Sequence, residues 1–130
     1  MEVYNPFGIY VDETNSVLYV TNANGNTAAE WPFNSSTGTF LVGNTNVTAG
    51  SNLTMLNYSL DITFDSYGNM FVVDCRNHRI QMHYSLNRNE VITIIGNGKG
   101  TDSTHLNCPS GIAFDSNFNL YVVDLNNHRL

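Results

Sequence analysis

The chain contains two similar segments of 21 residues each. Residues 60–80 read LDITFDSYGNMFVVDCRNHRI and residues 110–130 read SGIAFDSNFNLYVVDLNNHRL, and the two align without a gap. Asp74 therefore matches Asp124, 50 residues further on. A third, more divergent copy, PFGIYVDETNSVLYVTNANGN, occupies residues 6–26. A period of about 50 residues is typical of a repeat protein in which each repeat is one structural unit.

Each copy is built from short apolar runs that are separated by turn residues. In the second copy, Asp, Ser, Gly and Asn are prominent in residues 65–69, and these residue types favour tight turns. No segment has apolar residues at helical spacing over three turns, so we expect almost no helix. The pattern predicts four strands in this copy, at residues 60–64, 70–73, 79–84 and 91–95.

Four antiparallel strands that recur every 40–50 residues form the blade of a β-propeller. The sequence thus predicts an all-β fold, in which stacked four-stranded blades make up one partial domain over residues 1–130. Blade 1 spans about 5–50, blade 2 about 58–100 and an incomplete blade 3 about 108–130. We expect the chain to be a fragment whose end blades pack against the remaining blades of a larger propeller.

The repeated motifs resemble those of the NHL repeat, which is named after its Asn-His-Leu sequence. The third copy has Pro-x-Gly-Ile-x-x-Asp at 109–115, Leu-Tyr-Val-x-Asp at 120–124 and Asn-His-Arg-Leu at 127–130. The second copy departs from the pattern with Ser-Leu-Asp at 59–61, and the first with Asn-Ala-Asn-Gly-Asn at 22–26. The resemblance implies that the parent protein is a six-bladed propeller.

The two cysteines indicate the cellular compartment. Cys75 lies in the turn after the second strand of blade 2, and Cys108 lies at the start of blade 3. In a propeller both positions emerge on the same face, so we predict a disulfide between them. Two free thiols are the alternative. A disulfide favours an extracellular or secreted protein, whereas free thiols would favour a cytoplasmic one.

Four Asn-x-Ser/Thr sequences are candidate N-glycosylation sites. Chance predicts three to four of them in a chain with 20 Asn and 22 Ser or Thr residues, so the count alone carries no weight. Their clustering between residues 34 and 59, in the connection between two blades, supports N-glycosylation better than their number does. The candidate acceptors are Asn34, Asn46, Asn52 and Asn57.

The polar residues of the motif recur in blades 2 and 3. His and Asp are competent metal ligands, but residues repeated at matching positions of two blades are better explained by a repeated structural role. We predict that the Asp accepts hydrogen bonds from turn amides and from the Asn, His or Arg that follows. The residues concerned are Asp74, Asn77, His78 and Arg79, and Asp124, Asn127, His128 and Arg129.

The composition argues against several classes of function. Only 12% of the residues are charged and five are basic, with a net charge of −6, so we do not expect nucleic-acid binding. No run of 18 apolar residues could span a membrane. Neither a nucleophile elbow nor a phosphate-binding loop is present. We therefore predict no catalysis, no cofactor and no bound metal.

The hypothesis that remains is a non-catalytic binding scaffold. Loops held by a rigid framework commonly carry recognition, and the candidates here are Arg76, Asn77, Asn126, Asn127 and the loop 98–107. The partner is a protein, a peptide or a glycan. One alternative is the substrate-recognition propeller of an intracellular ubiquitin ligase that resembles the TRIM-NHL class. Another is part of a propeller enzyme similar to the amidating lyases, which hold zinc on the ring axis, or to the lactonases.

Overall fold

The computed structural model describes residues 3–130 and contains three antiparallel sheets, which confirms the predicted all-β propeller fold. The strands of blade 1 are β1 (Pro6–Asp12), β2 (Val17–Asn22), β3 (Thr27–Pro32) and β4 (Thr39–Gly43). Those of blade 2 are β5 (Ser59–Phe64), β6 (Met70–Asp74), β7 (Arg79–His83) and β8 (Val91–Ile95). The third sheet pairs β9 (Gly111–Phe114) with β10 (Leu120–Val123).

The sheets follow the up-and-down order of propeller blades. Within blades 1 and 2, each strand pairs with the next strand in sequence. The first strand of each sheet contacts the first strand of the next, so β1, β5 and β9 lie side by side. One-turn 3₁₀ helices at Cys75–Asn77 and Leu125–Asn127 are the helical elements of the described residues. Each follows the second strand of its sheet.

The middle blade is buried on both of its faces. All five residues of β6 are buried, and successive side chains point to opposite sides of a strand. Met70 and Val72 pack in the cluster shared with blade 1, whereas Phe71 and Val73 pack in the cluster shared with the third sheet. The continuous apolar run in this strand thus reflects a sheet that is covered on both sides.

Aromatic rings pack at both blade contacts. Tyr19 of blade 1 lies 4.4 Å from Phe64 of blade 2, measured between ring centroids. Phe71 and Phe114 meet edge to face at 5.0 Å across the next contact. Phe64 and Phe114 are matching residues 50 positions apart, so both contacts use the same repeat position. Tilted and edge-on pairs of this kind add to the stability gained from burial.

Two glycines allow the chain to leave each complete blade close to that blade's own turn. Gly43 ends β4 with a φ of +90°, and Gly96 follows β8 with a φ of +101°. A Cβ atom at Gly43 would collide with the backbone oxygen of Asn26, and one at Gly96 with that of His78. Only glycine fits both the positive φ and this approach. The connection into the next blade therefore starts beside the turn after the second strand.

Candidate functional site

The turns that follow the second strands all emerge on one side of the molecule. We call this side the motif face. It comprises the turns 23–26, 75–78 and 125–128 together with the crossover segments, which we define as residues 50–57 and 100–107. The crossover segments lead from one blade into the next. The motif residues and the single-residue binding candidates lie in these turns or at their edges, and the candidate loop 98–107 contains the second crossover segment.

Asp74 is the centre of a hydrogen-bond network in blade 2. Its side chain is fully buried. Oδ1 accepts the backbone N–H of Asn57 at 2.8 Å, while Oδ2 accepts the side-chain amide of Asn77 at 2.9 Å and the Nε–H of Arg79 at 2.7 Å. The carboxylate thus joins the crossover segment to the turn and to the start of β7. Such a set of donors is what a buried charge requires.

Arg79 extends this network along the crossover segment. Its guanidinium donates to the backbone oxygens of Ser51, Asn52 and Met55 at 2.8–3.1 Å. The amide of Asn77 donates to the backbone oxygen of Gly50 at 2.7 Å. The motif side chains therefore replace the regular backbone partners that this irregular segment lacks.

The same network is repeated 50 residues later. Asp124 accepts the backbone N–H of Asn107 at 2.8 Å, the amide of Asn127 at 2.8 Å and the Nε–H of Arg129 at 2.6 Å. Arg129 in turn donates to the backbone oxygens of Thr101, Asp102 and His105, and Asn127 to that of Gly100. Each contact corresponds to one in blade 2 after a shift of 50 positions.

The histidine of the motif does not bond to the aspartate. His78 adopts a left-handed conformation with a φ of 55°, and its Nδ1 accepts the backbone N–H of Cys108 at 3.0 Å. Asn26, with a φ of 53°, occupies the matching position of blade 1, and its Oδ1 accepts the backbone N–H of Tyr58 at 2.9 Å. This position therefore binds the chain where it enters the following blade.

A disulfide joins Cys75 to Cys108, 33 residues apart, beside the bond from His78. Cys75 is the first residue of the 3₁₀ turn in blade 2, and Cys108 precedes the third sheet. Both cysteines lie on the motif face, as the repeat pattern predicts, and their sulfur atoms are bonded there. No free cysteine is present among residues 3–130.

The two aspartates differ in their electrostatics although their partners match. Burial raises the pKa of Asp74 above its ordinary value, against the lowering by its donors Asn77, Asn57 and Arg79. At Asp124 desolvation also raises the pKa, but the hydrogen bonds from Asn107, Asn127 and Arg129 outweigh it, and the pKa is lowered. The Arg79 side chain is 10% exposed, whereas that of Arg129 is 35% exposed.

The four candidate binding residues fall into two pairs. The side-chain amides of Asn77 and Asn127 are occupied by their aspartates and by backbone oxygens. Arg76 and Asn126, which match after a shift of 50 positions, are exposed. The guanidinium carbon of Arg76 lies 4.3 Å from the ring centroid of Tyr58, in a cation–π contact. Arg76 and Asn126 are therefore the candidates with side chains available to a partner.

The glycosylation candidates are not equivalent in the folded chain. Asn34, Asn46 and Asn52 are exposed. Asn57 is half-buried, and both its backbone N–H and its backbone oxygen are bound, the first by Asp74 and the second by the N–H of Arg76. Three of the four candidates are thus accessible in the folded chain.

The loop 98–107 contains one acidic residue, Asp102, whose side chain is bound within the loop. Asp102 accepts hydrogen bonds from Thr104 and His105, and the hydrogen bond from His105 lowers the pKa of Asp102 most. These bonds lie within residues 102–105 of the loop.

The crossover segments are repeats that the motif comparison missed. Residues 50–57 read GSNLTMLN and residues 100–107 read GTDSTHLN, so Gly, Thr, Leu and Asn recur at the same spacing. In both, the side chain of the third residue accepts the N–H and hydroxyl of the Thr two residues later. The sequence signal G-x-x-x-T-x-L-N was available 50 residues apart. It indicates that these segments have a defined structure.

The described part of the chain offers no group of three or more His, Cys, Asp or Glu residues arranged to hold a metal ion. Among residues 3–130 there is also no helix that could cross a membrane.

Comparisons with known proteins agree with this geometry. Residues 106–130 match the family model of the NHL repeat. No curated protein matches the chain. The fold is similar to that of an auxiliary nutrient binding protein from Bacteroides thetaiotaomicron, with 17% identity and a TM-score of 0.76 over 95% of this chain and 36% of that one.

Two further solved structures are similar in fold. A chain of a nidogen/laminin complex shares 20% identity with a TM-score of 0.69, over 93% of this chain and 40% of its own length. A streptogramin B lyase shares 18% identity with a TM-score of 0.64, over 92% of this chain and 34% of its own length. The chain thus spans 34–40% of the length of these structures. It consists of β-propeller blades, and residues 106–130 are an NHL repeat.

Proposed function

We propose that this chain is a non-catalytic binding scaffold that presents the motif face to a protein, peptide or glycan. We base this on a difference between bonded and exposed side chains in the turns. The motif aspartates, asparagines and arginines use their polar groups to fix the turns and crossover segments. Arg76 and Asn126 are left exposed on this fixed frame. A preorganised loop loses little conformational entropy when it binds.

Arg76 is the expected centre of the contact. Arginine and tyrosine are enriched among the residues that dominate binding energy at protein interfaces. The stacking of Arg76 on Tyr58 restrains a long side chain that would otherwise be mobile, and its remaining N–H groups can bind carboxylate or carbonyl oxygens.

An extracellular location fits the disulfide, since such bonds persist in oxidising compartments. This favours the scaffold over the alternative of an intracellular ubiquitin-ligase propeller. The fold similarity to a streptogramin B lyase keeps a propeller enzyme as the second candidate function. That candidate places a metal or catalytic group on the ring axis instead of on the motif face.

A photo-crosslinking experiment tests the proposal. A benzophenone amino acid is placed at position 126, on the motif face, or at position 117, in the turn between β9 and β10 on the opposite side. Each protein is then irradiated in the presence of secreted proteins and glycans of the source organism. We expect a defined crosslinked partner with position 126 only, and its loss when Arg76→Glu is added. Equal capture from both positions, or capture that is unchanged by Arg76→Glu, would reject the motif face as the binding surface.

A further inference from the structure

The two blade contacts of the chain use the same pair of repeat positions. At the first contact, Tyr19 packs against Phe64. At the second, Phe71 packs against Phe114. Tyr19 and Phe71 occupy the same position in the second strands of blades 1 and 2. Phe64 and Phe114 occupy the same position in the first strands of the sheets that follow. This regularity identifies the two surfaces that a third contact of the same kind requires.

The outer side of blade 1 carries an uncovered copy of one half of this contact. In blade 2, Ile62 and Phe64 belong to the apolar cluster shared with the preceding blade. Their counterparts in blade 1, Ile9 and Val11, are 61% and 50% exposed. We call this side the leading face. It comprises the four apolar residues of β1 and β2 that match the residues of β5 and β6 in that cluster, namely Ile9, Val11, Leu18 and Val20.

The outer side of the third sheet carries the other half. In blade 2, Phe71, Val73 and Ile80 are buried in the cluster shared with the third sheet. Their counterparts 50 residues further on are all exposed, with Tyr121 at 46%. We call this side the trailing face and define it by these counterparts, Tyr121, Val123 and Leu130. Contiguous exposed apolar residues of this kind mark sites of protein association.

The hydrogen bond that accompanies each blade contact is also present in two unpaired halves. At both contacts a left-handed turn residue, His78 or Asn26, accepts the backbone N–H of the residue that enters the following sheet. His128 occupies the matching position of the third sheet, and its exposed side chain has no hydrogen-bond partner among residues 3–130. Asn5 occupies the entry position of blade 1 and has a φ of 55°, in the left-handed region that both other entry residues adopt. Its N–H has no acceptor in the same part of the chain.

We propose that the leading face of one copy of the chain packs against the trailing face of a second copy. Val11 of the second copy then lies on Tyr121, at the positions that form the aromatic pair between blade 2 and the third sheet. Asn5 of the second copy donates its N–H to Nδ1 of His128 and completes a third hydrogen bond of the series. Each contact continues an interface that the chain already makes twice.

The association closes after two copies. The contact is heterologous, because different surfaces of the two copies meet, and such contacts form rings when the rotation closes. The resemblance to NHL propellers implies six blades, and three sheets with adjacent first strands correspond to half of such a ring. Two copies therefore complete one ring about a two-fold axis and cover all four end faces. Neither Arg76 nor Asn126 belongs to an end face, so this inference goes beyond the proposed function and does not depend on it.

Sedimentation equilibrium of the 130-residue chain tests the association. The chain is produced in a bacterial periplasm, where disulfides form. We expect a monomer–dimer equilibrium with a dissociation constant on the order of 100 μM and no larger species, because the closed dimer leaves no end face free. Below roughly 10 μM the chain is then largely monomeric, and His128 has no partner there. A monomer at about 1 mM, or oligomers that grow with concentration, would overturn the proposal.

A matched pair of charge variants locates the interface. Tyr121→Lys introduces a charge that the contact has to bury, while lysine retains a donor for Asp115, which accepts from the Tyr121 hydroxyl at 3.2 Å. Tyr67→Lys is the control, in the turn between β5 and β6 at a position that is 82% exposed and outside both end faces. We expect Tyr121→Lys to weaken association by at least about tenfold, and Tyr67→Lys to leave it unchanged. Equal dissociation constants for the two variants would overturn the assignment to the end faces.

Thiol crosslinking distinguishes the head-to-tail contact from other modes of self-association. Val11→Cys and Tyr121→Cys are prepared as separate proteins and treated with a short bifunctional maleimide, each alone and as a mixture. We expect crosslinked dimers in the mixture only, because positions 11 and 121 meet between copies whereas two copies of either position lie apart in the ring. A mixture of Val11→Cys with Tyr67→Cys should stay uncrosslinked. Crosslinking of either end-face variant with itself at the yield of the mixture would show a contact between like faces and overturn the proposal.

Discussion

Nδ1 of His78 accepts the backbone N–H of Cys108 at 3.0 Å and thereby joins the turn of blade 2 to the start of the next sheet. Oδ1 of Asn26 accepts the backbone N–H of Tyr58 in the same way, so histidine and asparagine make the same contact at this position. Both acceptors lie in the left-handed region, which aims the side chain towards the following blade. The motif histidine is thus a connector between blades.

Removing this connector tests its contribution to stability. We expect His78→Ala to lower the free energy of unfolding by about 1 kcal/mol, because the N–H of Cys108 loses its acceptor. His128→Ala is the matched control, since His128 has a φ of 54° but no side-chain bond among residues 3–130. His78→Asn should retain most of the stability, because Asn26 at the matching position of blade 1 accepts the corresponding hydrogen bond. Equal losses for His78→Ala and His128→Ala in chemical denaturation would contradict this role.

The motif aspartates should differ in how much stability they contribute. Asp74→Ala leaves the guanidinium of Arg79 buried without its carboxylate, a change that typically costs about 3–5 kcal/mol. Asp124→Ala should cost less, because the side chain of Arg129 is 35% exposed and water can replace the lost acceptor. Denaturant titration of the two variants provides the comparison. A larger loss for Asp124→Ala would show that burial does not set the difference.

The disulfide closes a long loop and should stabilise the fold. Replacing Cys75 and Cys108 with Ser is expected to lower the free energy of unfolding by about 3–4 kcal/mol, the value of the chain-entropy relation for a separation of 33 residues. The measurement is chemical denaturation of the double variant beside the oxidised protein. A reductant should weaken the unsubstituted protein and leave the double variant unchanged. An unchanged midpoint for the unsubstituted protein in reductant would contradict the bond.

Stability should fall with acid because of His83. The pKa of this residue is about 4 in the folded chain, below its ordinary value of 6.5, so the unfolded state binds more protons between these two values. The free energy of unfolding is therefore greatest above pH 6.5 and declines as the pH falls towards 4, by about 3 kcal/mol in all. Burial lowers the pKa of His78 as well, so that residue adds to the same slope.

Substitution separates the two histidines. His83→Gln should remove most of the pH dependence between about pH 6.5 and about pH 4, while the part due to His78 remains. The readout is the difference between denaturation free energies at about pH 7.5 and about pH 4.5, so an overall loss of stability in the variant does not obscure it. An undiminished slope in His83→Gln would mean that other groups cause the acid sensitivity.

The strands of the middle blade could be predicted almost to the residue. The predicted ranges 60–64, 70–73, 79–84 and 91–95 differ from the observed strands by at most one residue at each end. Short apolar runs bounded by turn residues are a local signal, and the repeat supplied a second copy of it. The role of His78 was not predictable in this way, because its partner Cys108 lies 30 residues away.

The crossover segments owe their order to residues that are distant in sequence. Residues 50–57 are rich in Asn, Ser and Thr, a composition that by itself favours an irregular and poorly ordered connection. In the structure their backbone oxygens bind Arg79 and Asn77, which belong to the following blade. Local composition carries no signal for this order.

The central claim is that each motif aspartate binds the crossover segment that leads into its own blade. NMR scalar couplings across hydrogen bonds measure this directly in the ¹⁵N,¹³C-labelled chain. We predict one correlation between the amide nitrogen of Asn57 and the carboxyl carbon of Asp74, and a second between Asn107 and Asp124. If either amide instead couples to a backbone carbonyl, or exchanges with water as an unprotected amide does, the claim is contradicted.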